Sequence, residues 1–337
     1  MYEAFYGLTK PPFANVPDPD FLYLSPQHQR GLSTLRYALL TRAGFCVVTG
    51  DVGAGKTTLI RSLLQDLDMD VEVGVVSNTH CDSFEEFLRW ILLAFDLEYR
   101  GKEKVEMYDE LITYMISRYE HGFPVTLIID EAQHLGFDVL EQLRMLSNVN
   151  TEKGQVLQTI LVGQPELWDL LRCPELSQFS QRISYDYFLG PLENADVTGE
   201  YVMHRLRHAG CDEEIFEQDT YYQIYKATGG VPRLINLVCD TALVYGFAQE
   251  KPRIDTDIIA EVLDDKEKGF SPIGKRRNLE AVGPAVLEQE EKLDRLSKQA
   301  ARLKEENTQK EAGDDKRRVS TIERAGGALK KPKRRSS

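Results

Sequence analysis

Long apolar runs are missing from this sequence of 337 residues. No stretch approaches the roughly 18 consecutive apolar residues of a membrane-spanning helix, so the sequence predicts no transmembrane helix. The first residues, Met1-Tyr2-Glu3-Ala4-Phe5-Tyr6, hold no basic region followed by an apolar one, and we therefore expect no signal peptide. Both absences argue against an integral membrane protein and favour a cytoplasmic location.

Cysteine is also scarce. The five cysteines are scattered and never form a C-x-x-C pair; they are Cys46, Cys81, Cys173, Cys211 and Cys239. An odd number of isolated cysteines argues against a disulfide framework and against a zinc site. We expect reduced structural thiols.

The net charge of −13 hides a division along the chain. Residues 266–337 contain 20 lysines and arginines against 12 acidic residues, whereas residues 1–265 contain 21 against 42. An acidic body is a poor electrostatic platform for nucleic acid, while a basic tail could touch an anionic surface.

The most informative motif is a phosphate-binding loop between an apolar strand pattern and a helical pattern. It has the form G-x-x-x-x-G-K-[ST] and reads Gly50-Asp51-Val52-Gly53-Ala54-Gly55-Lys56-Thr57, followed by Thr58. Backbone N–H groups of such a loop surround the phosphates of a nucleotide at a helix N-terminus. Lys56 would add a positive charge, and the Thr57 hydroxyl would take one position on Mg²⁺. Because no Asn-Lys-x-Asp guanine motif is present, we expect ATP rather than GTP.

A second motif consists of two acids at the end of an apolar, β-branched strand, Leu127-Ile128-Ile129-Asp130-Glu131. In a nucleotide site, Asp130 would hold the Mg²⁺ shell. Glu131 would orient and polarise the water that attacks the γ-phosphate. The alternative is that one of the acids only caps the next helix, a reading that the preceding phosphate loop disfavours.

Three further polar residues complete the predicted catalytic set, each with a plainer alternative. Gln164, after the next strand, would help to place the water, or else is a turn residue before Pro165. Arg182, ahead of the last strand, would reach a neighbouring subunit's γ-phosphate, or else forms a surface ion pair. Arg233, at the start of a later helix, would fold over the phosphates, or else lies in solvent.

Strand and helix patterns alternate up to about residue 190 and predict an α/β fold, a doubly wound parallel sheet of five strands. Residues 1–190 would form the P-loop ATPase domain, including an N-terminal loop rich in proline and phenylalanine. Residues 191–265, with four helical patterns and no strands, would form a small α-helical lid. Residues 266–337 would form a charged linker, a short helix with heptad-like spacing and a disordered basic end.

In combination these motifs resemble an AAA+ ATPase. More narrowly, they resemble the secretion ATPases of the general secretion pathway protein A (ExeA-like) type over residues 1–265. Five stretches carry the likeness: Phe5-Tyr6-Gly7-Leu8 with Pro12-Phe13; Pro17-Asp18-Pro19 with Phe21-Leu22-Tyr23-Leu24-Ser25 and His28; Asp130-Glu131-Ala132-Gln133; Leu161-Val162-Gly163-Gln164-Pro165-Glu166-Leu167; and Gly229-Gly230-Val231-Pro232-Arg233-Leu234-Ile235-Asn236. The start of the chain is similar to ATPases that accompany exosortase (PEP-CTERM) and exopolysaccharide export loci.

The resemblance implies an ATP-hydrolysing subunit that drives assembly or operation of an envelope secretion or exopolysaccharide export system. It implies a homo-oligomer with shared ATP sites, inner-membrane export proteins as partners, and a location in the cytoplasm or peripherally at the inner membrane. The N-terminal loop would help to wall the adenine site. We find no counterpart of the ExeA membrane anchor or peptidoglycan-binding part, so cell-wall binding is not carried over. His134 replaces the family's usual Asn and receives no role.

Two other functions stay open. A DNA-binding, target-loading ATPase of the transposition type has a similar catalytic domain; the acidic body argues against it and the basic tail keeps it open. The second is a nucleotide switch that does not hydrolyse ATP, against which Glu131 argues.

Overall fold

The computed structural model describes residues 1–14, 21–65, 71–77, 79–81, 83–151 and 154–268. The Pro17-Asp18-Pro19 segment lies outside the described residues. So do the predicted linker, heptad-like helix and basic end that follow residue 268. The described residues all fall within one compact unit.

Five parallel strands form the central sheet. In chain order the strands of the described residues, which include two outside this sheet, are β1 (Phe45–Gly50), β2 (Glu72–Val76), β3 (Val125–Ile129), β4 (Asn150–Thr151), β5 (Gly154–Gln155), β6 (Leu157–Gly163) and β7 (Ile183–Leu189). The sheet has the order β2-β3-β6-β1-β7, and every neighbouring pair in it is parallel. The predicted sheet is therefore confirmed. The short antiparallel pair β4–β5 was not predicted, because two-residue strands leave no periodic signal.

Burial explains why the strands were readable in the sequence. β1, β3 and β6 are buried along their whole length, so β1 and β3 appear as mainly apolar runs, whereas β6 also contains the buried polar residues Gln158 and Thr159. β1 lies between β6 and β7, both of which come much later in the chain. The order of the strands therefore reverses at β1, and such a reversal opens a crevice beyond the carboxyl ends of the strands.

Helices flank the sheet, and most of them lie between its strands along the chain. The helices up to β7 are α1 (Tyr2–Phe5), α2 (Pro26–Leu40), α3 (Lys56–Gln65), α4 (Phe84–Ala94), α5 (Lys104–Glu120), α6 (Phe137–Leu146), α7 (Glu166–Leu171) and α8 (Ser177–Ser180). Two 3₁₀ turns, Ala132–His134 and Pro174–Leu176, join them. Helix α2 starts where Ser25 accepts a hydrogen bond from the His28 N–H and proline occupies the first turn. The strands and α4–α6 share one hydrophobic cluster.

Up to residue 268, four helices follow the sheet, as predicted for the chain after residue 190. They are α9 (Ala195–His208), α10 (Gln218–Thr228), α11 (Pro232–Ala248) and α12 (Thr256–Lys268). Their apolar faces form a second hydrophobic cluster, which also takes in Tyr2, Tyr6, Leu8, Phe13 and Phe21. The N-terminal segment therefore packs with these helices rather than with the sheet. In the part of the chain that the structure describes, no helix combines the length and apolar character needed to cross a bilayer.

Candidate nucleotide site

One cleft of about 450 Å³ lies beyond the carboxyl end of β1, where the phosphate loop begins. Its lining includes many of the predicted site residues, namely Val52, Gly53, Gly55, Lys56, Thr57, Thr58, Glu131, Gln164 and Arg233. Gly50, Asp51 and Ala54 belong to the same loop, and Asp130 is hydrogen-bonded to it. The fold thus gathers residues that are far apart in sequence at one edge of the sheet. Arg182 is the exception.

Two glycines allow the loop to fold tightly at this edge. Gly53 (φ 81°) and Gly55 (φ 102°) have left-handed backbone conformations, which side chains with a Cβ rarely adopt. Space is equally short: a Cβ on Gly53 would lie 2.5 Å from the Cβ of Arg233, and one on Gly55 would lie 2.6 Å from Nε2 of His28. The loop therefore requires glycine at both positions, and it is pressed against α2 on one side and α11 on the other.

Lys56 is the first residue of α3 and is buried. Its Nζ donates hydrogen bonds to the carbonyl oxygens of Gly50 (2.8 Å) and Asp51 (3.1 Å). Burial lowers the pKa of Lys56, and the nearby carboxylates of Glu131 and Asp130 oppose that shift. A cation is thus held by the loop at the amino end of a helix, the place where a phosphate group is best stabilised.

Thr57 and Asp130 form the pair that fits a magnesium ion. The Thr57 hydroxyl donates to Oδ2 of Asp130 at 2.9 Å, although 73 positions separate the two residues. Hydroxyl and carboxylate oxygens are hard ligands, and Mg²⁺ usually takes only one or two of them from the protein. Among the residues that the structure describes, no cluster of three or more His, Cys, Asp or Glu side chains is placed to hold a metal. The pair therefore suits an ion whose remaining ligands are phosphate oxygens and water.

Glu131 is the second residue after β3 and has an unusual backbone. Its φ of 55° and ψ of 35° are left-handed, a conformation that is costly for a side chain of this size and that concentrates at functional sites. Oε2 of Glu131 accepts hydrogen bonds from Gln133 Nε2 at 2.6 Å and from Gln164 Nε2 at 3.3 Å. Burial acts to raise the pKa of Glu131, but those hydrogen bonds and the Lys56 charge outweigh it and lower the pKa. Glu131 is therefore a carboxylate at neutral pH, as a residue that activates water must be.

Gln164 lies where the sequence predicted it, at the end of β6 beside Glu131. Its partner Gln133 carried no predicted role, although it stands in the stretch that resembles the secretion ATPases. The Gln133 Oε1 accepts from the backbone N–H of Gln164 at 3.0 Å. A primary amide two residues after the acidic pair was the available sequence signal, but only the 3₁₀ turn shows that it points back to Glu131.

Arg182 does not line the cleft. Its Nη1 donates to the carbonyl oxygen of Arg144 at 3.2 Å and to the Ser147 hydroxyl at 3.0 Å, so it binds the C-terminal end of α6. A cation at this end of a helix is favourable, because the helix dipole places partial negative charge there. Its position just before β7 is the one that the sequence indicated.

Arg233 lines the cleft from α11, in the second helical position after Val231. Its backbone N–H points to the carbonyl oxygen of Gly53 at 3.4 Å. The two glycines before α11, Gly229 and Gly230, are both left-handed. The helical part of the chain thus contacts the phosphate loop directly through this turn.

One part of the cleft is aromatic, with rings from the segment before α2 and from α9. Phe21 and Tyr23 line it together with Tyr201, Arg205 and Asn236. The Arg205 guanidinium, which is buried, lies 4.9 Å from the centre of the Phe21 ring and donates to the Tyr201 hydroxyl at 3.0 Å. Tyr201 in turn donates to Oδ1 of Asn236 at 2.8 Å. Tyr201 and Arg205 escaped sequence reasoning, because a single tyrosine or arginine on a helix face does not mark a site.

Arg205 also holds the N-terminal segment in place. It donates to the carbonyl oxygens of Pro12 (2.5 Å) and Ala14 (3.2 Å). One buried charge therefore connects α9, the segment that precedes α2, and the wall of the cleft. A buried guanidinium holds several acceptors firmly in place, because a buried charge without hydrogen-bond partners is costly.

His28, in α2, packs against the phosphate loop. It is only 4% exposed, and its Nδ1 lies 2.7 Å from the Ser25 hydroxyl. Burial lowers the pKa of His28 to about 4, and a hydrogen bond with the Ala54 backbone compensates in part. The imidazole is therefore neutral at pH 7 and serves as a fixed spacer between α2 and the loop.

Comparison with known proteins agrees with this site. Residues 38–171, which contain the phosphate loop, the acidic pair and Gln164, match the family described as AAA domain. Two solved structures share the fold: the Aeropyrum pernix ORC2 protein in its ADPNP and ADP complexes (TM-score 0.59, 16% identity, covering 76% of this chain and 71% of that one) and Cdc6p from Pyrobaculum aerophilum (TM-score 0.57, 17% identity, covering 74% and 71%). The fold and the cleft define the class: the chain has a phosphate-loop fold in which residues 38–171 match an AAA domain.

Within that class the chain is a relative of general secretion pathway protein A of Aeromonas hydrophila. The two are 41% identical over 255 residues, which is 75% of this chain and 46% of the relative. A weaker similarity, 29% identity over 189 residues, is to the ATP-dependent target DNA activator B of Escherichia phage D108 and covers 55% of this chain and 56% of that protein. The chain thus spans about half the length of the curated relatives that it matches. The resemblance stated from the motifs is confirmed at this level.

Proposed function

We propose that the chain hydrolyses ATP in this cleft and that the reaction requires Mg²⁺. One observation carries the proposal: the Thr57 hydroxyl meets the Asp130 carboxylate at 2.9 Å, while Lys56 and Glu131 line the same cleft. A cation at a helix N-terminus, a pair of hard oxygen ligands and a carboxylate are what in-line transfer of a phosphoryl group to water requires.

Each residue then has a defined task. The loop N–H groups and Lys56 hold the β- and γ-phosphates, and Thr57 and Asp130 hold the metal. Mg²⁺ held by these two residues would neutralise the negative charge of the phosphates. Glu131, already ionised, accepts a hydrogen bond from the attacking water and takes up its proton. Gln164 keeps the carboxylate in place through its own amide.

The aromatic part of the cleft is the proposed adenine site. Phe21, Tyr23 and Tyr201 offer flat surfaces for a base, and Asn236 offers an amide. This arrangement supports the expectation that the N-terminal segment helps to wall the adenine site. Residues that precede α2 and residues of α9 and α11 would thus surround the base together.

Arg182 and Arg233 are the proposed regulators of turnover. Arg233, already in the cleft, would contact the phosphates as the helical lid closes. Arg182 would reach the γ-phosphate of a neighbouring subunit in a homo-oligomer with shared sites. To do so it must exchange its hydrogen bonds with Arg144 and Ser147 for contacts to phosphate.

The proposed cellular role is to drive an envelope secretion system. It is supported by the 41% identity to general secretion pathway protein A, a relative named for secretion. Exopolysaccharide export, in a locus with exosortase, is the finer proposal from the similar start of the chain. The protein would act in the cytoplasm or peripherally at the inner membrane, with inner-membrane export proteins as partners. Deletion of the gene, complemented by wild type or by Glu131→Gln, tests this role: only the wild type should restore export.

Loading of target DNA is less well supported. The similarity to the phage DNA activators is lower, and residues 1–265 are strongly acidic. Duplex DNA in a filter-binding assay across a salt series separates the two roles. ATP-dependent binding that falls steeply with salt would favour the DNA function.

The reaction itself is tested by phosphate release from purified protein with Mg²⁺ and ATP. Lys56→Ala should lose nucleotide affinity, whereas Glu131→Gln should bind ATP and hydrolyse it at least about 100-fold more slowly. Omission of Mg²⁺ should abolish turnover of the wild type. If wild type and Glu131→Gln release phosphate equally slowly, the chain is a nucleotide switch and not a hydrolase.

A further inference from the structure

The side chain of Gln133 joins the ends of two neighbouring strands. Its Nε2 donates to Oε2 of Glu131 at 2.6 Å, and its Oε1 accepts from the backbone N–H of Gln164 at 3.0 Å. Glu131 follows β3 and Gln164 follows β6, so one amide spans the edge of the sheet where the acidic pair lies. Gln133 itself is absent from the lining of the cleft.

The polarity of these two bonds fixes the orientation of the amide. A carboxylate can only accept, and a backbone N–H can only donate. The Nε2 must therefore face Glu131 and the Oε1 must face Gln164; the flipped amide would set oxygen against carboxylate. A glutamate at this position would lack the donor, and an asparagine would be one methylene shorter. Glutamine satisfies both partners at once.

The end of β6 leaves little space beside this amide. A Cβ on Gly163 would lie 2.9 Å from the Gln133 Oε1, so the residue at the end of β6 must be small. Glu131 has a left-handed backbone, and its carboxylate accepts hydrogen bonds from two side chains, those of Gln133 and Gln164. Of the two amides that hold that carboxylate, Gln133 makes the shorter bond.

We propose that Gln133 is a positioning residue for ATP hydrolysis, which holds the Glu131 carboxylate in place beside Gln164. The inference rests on the proposed ATPase function and names a residue that acts through Glu131 without touching the nucleotide. Misplacement of a catalytic group by about 1 Å can cost roughly 100-fold in rate. Loss of Gln133 therefore lowers the rate of the chemical step and leaves nucleotide binding by the phosphate loop intact.

The test compares Gln133→Ala, the isosteric Gln133→Glu and wild type, with Gln218→Ala as a control at an exposed position of α10. Phosphate release should show kcat reduced about 10- to 100-fold in both Gln133 variants. The Kd for a fluorescent ATP analogue should stay within about threefold of wild type, and the control should match wild type in both measurements. Gln133→Glu keeps the side-chain volume, so it addresses the same question if truncation impairs folding.

A double-mutant cycle with Glu131→Gln separates positioning from a structural role. If Gln133 acts through Glu131, Gln133→Ala should cause no further loss of rate in the Glu131→Gln background. Equal losses in both backgrounds, an unchanged kcat, an increased kcat, or a weaker Kd that explains the loss would each overturn the inference. Failure of the wild type to hydrolyse ATP would instead count against the proposed function itself.

Discussion

The buried His28 should make the stability of the protein depend on pH in a defined window. Burial lowers its pKa in the folded protein to about 4, whereas a histidine in an unfolded chain titrates near 6.5. Between these values the unfolded chain binds a proton that the folded chain excludes. The contribution of neutral His28 to the free energy of unfolding is therefore present above pH 6.5 and is lost as the pH falls toward 4.

The size of the effect follows from the two pKa values. At pH 5 the exclusion of the proton costs the folded state about 2 kcal/mol relative to pH 7. The substitution His28→Gln removes the titration while keeping a side chain that can hydrogen-bond. Urea denaturation at pH 7 and pH 5 should show that wild type loses about 2 kcal/mol more than His28→Gln between the two conditions.

A comparison between variants is needed because burial also lowers the pKa of His204 to about 4. That residue is partly exposed and titrates in the same window, but it contributes equally to wild type and to His28→Gln. His121→Gln, at an exposed position after α5, should behave like wild type. Equal losses in wild type and His28→Gln would refute the account of a neutral imidazole buried beneath the loop.

Two further substitutions test the packing around the cleft. Gly53→Ala should weaken binding of a fluorescent ATP analogue at least about tenfold, because Gly53 is left-handed and an added Cβ would meet Arg233. The control is Gly122→Ala. Gly122 is also left-handed but has open space around it, so this variant should keep wild-type affinity. Arg205→Ala should lower the free energy of unfolding, measured in urea, by about 3 kcal/mol, because it leaves buried carbonyl groups without a donor. Substitution of the exposed Arg207 by alanine should change the free energy of unfolding by less than about 0.5 kcal/mol. A similar loss in both variants would contradict the role given to Arg205.

The parts of the fold that the sequence predicts are those with strong periodicity. β3 is a mainly apolar run because it is buried along its whole length, and the apolar residues of α6 repeat on one face. The phosphate loop was readable since its backbone conformation requires particular glycines. Local pattern is sufficient where one segment determines its own structure.

The rest of the site depends on contacts between distant segments. The sequence assigned both Glu131 and Gln164 to the attacking water, whereas Arg205 donates to carbonyl oxygens more than 190 positions away. The sequence placed Arg182 ahead of the last strand and could not show that its side chain binds the end of α6. Backbone carbonyl partners have no residue-type signature, so such contacts cannot be read from a pattern.

The packing of the first residues among the last helices has a consequence for biosynthesis. Tyr2 donates to Asp240 at 2.6 Å, a contact between positions that are 238 residues apart. A ribosome adding about 5–20 residues per second needs roughly ten to fifty seconds to supply the second partner. For that interval the aromatic side chains that begin the chain have no native surface to cover them, so newly made protein should depend on chaperones until α11 emerges.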